Sequence, residues 1–157
     1  MGLGFFKHRH EMTRPQQADT GSTNERFSAY FPRLFAYVRS CVGGDIPAQD
    51  IVVEAFSRAF SKAGGGGEEE FRAVLFRTAR RLCRPALRHD GSARDDPLSP
   101  REREVISLVF DAGLTREQIA RMFRIRETTV SSILLTGLRK LKEQTSPAVA
   151  AAYLKLA

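Results

Sequence analysis

Arg77, Arg80, Arg81, Arg84 and Arg88 recur at spacings of three and four, which gathers their guanidinium groups on one broad face of a helix. The planar guanidinium fork matches phosphate geometry and stacks on unpaired bases, so such a face suits nucleic acid. Acidic partners one turn away are nearly absent, whereas a face that serves only solubility mixes signs. A second set lies on the helix expected from Glu127 to about Lys142. There Val130, Ile133, Leu134, Leu138 and Leu141 face inward. The helix closes on Arg139-Lys140-Leu141-Lys142, a basic end. Bidentate readout of guanine needs Arg or Lys, so direct readout by this helix should be weak. Paired carboxylates in a plausible cleft and a nucleophile beside a base are both missing. Gly64 to Gly67 lacks the Lys-Ser/Thr sequel of a phosphate loop. The pattern argues against an enzyme, and no cofactor is expected.

The elements that must position these residues read as helices throughout, and strand-like alternation is hard to find. Ser99 is a good N-cap, Pro100 suits the first helical position, and Glu102 completes a capping box. Val105, Ile106, Val109 and Ala112 follow at helical spacing until Gly113 supplies a stop. Thr115-Arg116-Glu117-Gln118 is a second capping box, with Leu114 and Ile119 placed as a hydrophobic staple. After a break at Arg124-Ile125-Arg126 the third helix begins. A short helix, a tight turn and a longer helix with a basic end are the parts of a DNA reader.

Three more helices are expected upstream. Phe27, Phe31, Leu34, Phe35, Val38 and Cys41 form an apolar stripe over roughly residues 25–42, with Pro32 early enough to start or kink that helix. Ile51, Val52, Ala55, Phe56, Ala59 and Phe60 share one face over about 47–63. The four glycines form a flexible loop, and Glu68-Glu69-Glu70 suits the positive end of the next helix. That helix buries Phe71, Val74, Leu75, Ala79 and Leu82, and Pro85 should kink it or end it near Arg84.

The formal net charge of +7 favours a polyanionic partner, because neutralising phosphates releases counterions. Cys41 and Cys83 sit among apolar helix positions and read as buried thiols in a reducing compartment rather than a disulfide or metal site. His8, His10 and Glu11 could chelate only weakly, and no metal site is expected. No apolar run approaches the ~18 residues of a membrane span, and the first ten residues have the wrong charge order for a signal peptide. The reading is a cytoplasmic protein with no membrane partner.

Three segments together resemble the small extracytoplasmic-function (ECF) group of bacterial RNA polymerase sigma factors. Residues 48–56, Ala-Gln-Asp-Ile-Val-Val-Glu-Ala-Phe, resemble the polymerase-binding helix of the family's region 2. Residues 71–80 resemble the helix that follows it and faces the −10 element. Residues 98–105 with 114–141 resemble region 4, which reads the −35 element. The resemblance implies an all-α chain of two small helical domains joined by a short linker. It divides the chain into a flexible tail (1–24), a region 2-like domain (25–88), a linker (89–98), a region 4-like helix-turn-helix domain (99–143) and a tail with a short helix (144–157). Asp50, Val53, Glu54, Phe56 and Arg58 would dock on polymerase. Arg77, Arg80, Arg81, Arg84 and Arg88 would contact −10 DNA. Arg116, Thr128, Thr129, Ser131, Ser132, Leu135, Arg139 and Lys140 would contact −35 DNA. The implied partners are core RNA polymerase, promoter DNA and an anti-sigma factor. Two alternatives stay open: a stand-alone helix-turn-helix regulator, and a sigma-like protein that binds polymerase without efficient promoter melting. The glycine loop favours the latter, since it offers no aromatic for a flipped base and its three carboxylates repel phosphate. From His89 to Leu98 the linker spans at most about 35 Å, so a compact arrangement of the two domains is expected in the free protein.

Overall fold

The computed structural model describes residues 20–89 and 96–144, and among these it contains six helices and no strand. Helices α1 (Thr20–Val42), α2 (Asp45–Ala63) and α3 (Glu68–His89) pack on one another, and α4 (Pro100–Phe110), α5 (Arg116–Phe123) and α6 (Glu127–Gln144) form a second group. The all-α expectation holds. The tail readings at 1–19 and 145–157, with His8, His10 and Glu11, and most of the linker (90–95) lie outside the described residues.

Both capping boxes form. Ser99 Oγ accepts from the Glu102 amide and the Glu102 carboxylate accepts from the Ser99 amide, while Thr115 and Gln118 repeat the exchange. Each box satisfies two orphan donors and fixes where its helix starts. Leu114 and Ile119 are both buried, as the staple requires. Gly113 takes a positive φ of 67°, the left-handed geometry that turns the chain from α4 toward α5. The turn between α5 and α6 uses the same geometry without a glycine: Arg124 sits at φ 56°, ψ 45°, its amide donating to the carbonyls of Ala120 and Arg121. A side chain there costs roughly 1–2 kcal/mol. Arg124→Gly should therefore raise stability by about 0.5–1 kcal/mol after glycine's extra unfolded-state entropy, read as a rise of a few degrees in Tm.

Two boundaries and one face differ from expectation. Helix α1 starts at Thr20, so residues 20–24 belong to a helix and not to the tail, and Pro32 lies in its interior. Its buried face is carried by Tyr30, Leu34, Tyr37 and Val38, with Phe27 left 40% exposed. The stripe is rotated because α1 must serve two neighbours, α3 and α4, besides α2. Helix α3 continues through Pro85 to His89. The proline falls near the helix end, where one missing amide donor is cheap, and Leu87 beyond it still packs on the core.

The two helical groups close on each other. Helix α4 packs on α1, α5 on α3, and the buried residues of both groups join in one continuous cluster. This matches the compact arrangement inferred from the linker's reach.

Candidate nucleic-acid interface

Helix α6 is pinned by Val130, fully buried, and by Gly137, which lets α4 approach closely. Its opposite face presents Thr128, Thr129, Ser132, Arg139 and Leu135, the last 62% exposed, with Ser131 half-buried. Arg116 at the start of α5 reaches across to Ser131 Oγ at 3.3 Å and Glu127 at 3.7 Å. The first turns of α5 and α6 thus make one polar surface, the side from which a helix-turn-helix meets a groove. Lys140 is the exception in this set. Its Nζ donates to Glu102 at 2.9 Å, tying α6 to the capping box of α4 instead of standing free for phosphate. That ammonium, with the Ser99 amide, holds the Glu102 carboxyl below the usual range.

On α3, Arg77, Arg81 and Arg84 are exposed as expected, while the side chain of Arg88 lies outside the described residues. With Lys62 of α2, Val74 and Met122 they line an open concavity of about 290 Å³. Lys62 went unnoticed in the sequence because it belongs to a different helix. Four cations around one hollow concentrate positive potential there, which favours an anionic partner.

Arg80 departs from its expected place. It borders that hollow but turns into the seam between the two helical groups, its side chain only 18% exposed. Its Nε donates to Glu104 Oε1 at 2.7 Å and its Nη2 to Oε2 at 3.5 Å. Glu104, on α4, also accepts from the Tyr37 hydroxyl at 3.3 Å and lies 3.9 Å from Arg101. The guanidinium groups of Arg80 and Arg101 both lie over the Phe123 ring, at 4.1 and 3.9 Å from its centroid. Burial pushes the Tyr37 hydroxyl well above its ordinary value and lowers Arg101. Ser40 and Ser107 hydroxyls meet at 2.8 Å beside this cluster. Farther along, the seam opens into a hollow of about 440 Å³ lined by Ala73, Phe76, Leu114 and Met122.

The glycine loop is braced by a residue the sequence reading passed over. Arg26 of α1 donates to the carbonyls of Gly64 at 2.9 Å and Gly66 at 2.8 Å, pairs with Glu68 at 3.0 Å, and lies over the Phe71 ring. An isolated arginine forty residues upstream carries no local signal of this. Cys41 and Cys83 are free thiols on adjacent helices. Their mutual hydrogen bond lowers Cys41, whereas that contact and burial push Cys83 up.

On α2, Asp50, Val53 and Glu54 are exposed on one face, Val53 at 63%, with Ile46 beside them at 77%. Arg58 pairs with Glu54 at 2.6 Å. Phe56 must be removed from this surface. It is 3% exposed, its ring 4.7 Å from that of Phe27 and 5.9 Å from that of Phe60, because it falls on the opposite, core side of the helix.

No match was found among curated proteins. Residues 96–143 match the family model for sigma-70, region 4. That span covers α4, α5, nearly all of α6 and both capping boxes. The three C-terminal helices are thus similar to sigma-70 region 4.

Proposed function

We propose that this chain is a sigma factor of the ECF group, which directs core RNA polymerase to specific promoters in the cytoplasm. The observation that carries the reading is the region 4 match at 96–143 beside a second basic surface on α3. A stand-alone reader has no need of two DNA surfaces on separate helical groups. In this reading the C-terminal domain reads the −35 element through Arg116 and the outward residues of α6. Arg77, Arg81, Arg84 and Lys62 hold −10 DNA, and Ile46, Asp50, Val53 and Glu54 dock on polymerase. The exposed apolar pair flanked by carboxylates fits a partner surface with an apolar centre and a basic rim. The protein does no covalent chemistry of its own, and an anti-sigma partner comes with the group. One specific feature favours the variant reading of a sigma-like protein that occupies polymerase without efficient melting: the glycine loop has no aromatic, and the first turn of α3 after it carries three exposed carboxylates.

The test is co-elution with bacterial core RNA polymerase, using Asp50→Arg as the control. Stoichiometric co-elution is expected for the native chain and its loss for Asp50→Arg, with duplex DNA affinity retained in both. No co-elution of the native chain, beside intact duplex affinity, would replace this reading with the stand-alone regulator.

A further inference from the structure

We propose that Glu104 is an internal latch that holds the two helical groups closed and occupies Arg80 in place of a nucleic-acid phosphate. The carboxylate is 5% exposed and is reached from three helices: by Arg80 of α3, by the Tyr37 hydroxyl of α1, and by Arg101 of its own α4. Both of its oxygens face the Arg80 fork, at 2.7 and 3.5 Å. A carboxylate and a phosphate present the same kind of acceptor to a guanidinium, so the two compete for one donor set.

Arg80 is the inner member of the α3 arginine face, and among the described residues no carboxylate pairs with the other cations around the hollow, Lys62, Arg77, Arg81 and Arg84. The latch therefore withholds one cation from an otherwise assembled anion site. Beside the shared apolar cluster the seam carries polar pairs: the Ser40 and Ser107 hydroxyls meet across it, and Gln118 of α5 reaches the Glu69 carboxylate at 3.5 Å. Polar pairs of this kind re-form with water on separation, so the two groups can part without stranding a donor. Opening frees Arg80 for phosphate and lets the two DNA surfaces move apart. Closure and DNA binding at α3 are thus mutually exclusive at this residue, which makes the coupling reciprocal. The link to DNA rests on the proposed function, whereas the latch itself rests on the geometry alone.

Small-angle scattering of the full chain tests the latch without DNA. Glu104→Arg sets a third cation against Arg80 and Arg101 and is expected to raise the radius of gyration by about 3 Å or more, from the roughly 15 Å of a compact chain of 157 residues. Arg80→Glu combined with Glu104→Arg restores opposite charges and should return the native radius. Glu104→Gln keeps the shape of the side chain, guards against a folding defect in Glu104→Arg, and should open the seam partially with an unchanged helical circular dichroism signal. An unchanged radius in both single variants, or no recovery in the charge-swapped pair, overturns the latch. Binding of Glu104→Gln to a single-stranded oligonucleotide is the second readout, expected to tighten about tenfold with a salt dependence steeper by about one phosphate contact. A larger radius with unaltered oligonucleotide affinity upholds the latch and instead removes Arg80 from the proposed −10 surface.

Discussion

Replacing Phe71 with alanine is expected to destabilise the protein by about 4 kcal/mol, a large share of the ~5–15 kcal/mol that holds a domain of this size together. The ring is fully buried at the first turn of α3, its centroid 4.8 Å from that of Phe60 and 6.1 Å from that of Tyr30. Truncation removes the transfer free energy of the ring and leaves a cavity that three helices cannot collapse without moving. It also deletes the platform under Arg26, whose guanidinium lies 4.9 Å from the ring centroid and holds the Gly64 and Gly66 carbonyls. The loop before α3 should loosen together with the core. Phe27→Ala is the matched control. Phe27 contacts Phe31 and Phe56 but remains 40% exposed, so its removal should cost about 1 kcal/mol. Urea unfolding followed by circular dichroism measures both, and similar midpoints for the two variants would contradict this account of the core.

The contrast between these two phenylalanines marks where sequence stops being legible. Phe27 and Phe71 look alike in an apolar periodicity, and only the packing of α1 against α2 and α3 decides which is buried. The features read correctly are local ones. Ser99 with Glu102 and Thr115 with Gln118 define their helix starts within four residues, and Gly113 declares its turn by lacking a Cβ. The features misread are settled by distant neighbours. Phe56 carries the right residue type for a docking surface and the wrong helical phase, which its neighbours Val52, Ala55 and Ala59, all buried, make plain in retrospect. Arg80 shares a stripe with four other arginines, and nothing within that stripe foretells a carboxylate arriving from α4. Lys140 was assigned to phosphate for its place at a basic helix end, but Glu102, thirty-eight residues earlier, claims it. Arg26 has the same origin in reverse: its three partners lie about forty residues away. In the three ionic cases, Arg80, Lys140 and Arg26, the side chain found its partner through tertiary closure, which periodicity cannot encode.

Gly137→Val is expected to destabilise the C-terminal domain by about 3 kcal/mol and to abolish duplex DNA binding at concentrations where the native protein binds. Gly137 is buried at the crossing of α6 with α4. A Cβ added there would lie 2.8 Å from Ile106 Cδ1, 3.3 Å from Glu102 Cβ and 3.5 Å from Leu98 Cδ2. The first of these is the end of a flexible side chain and can swing away. Alanine should therefore be tolerated, its gain in helix propensity of about 1 kcal/mol offsetting the displaced methyl. Valine adds two γ-carbons, which press on Glu102 close to the α4 backbone, and the helices must separate. Separation strains the Lys140–Glu102 pair and the capping box at Ser99, because Glu102 serves both. The outward face of α6 then loses its fixed relation to Arg116 at the start of α5, and base contacts depend on that relation to within about an ångström. Thermal unfolding and duplex binding of the alanine and valine variants make the measurement. Native-like behaviour of both would mean that α4 and α6 do not depend on this close approach, and equal damage by both would mean that Ile106 has nowhere to move.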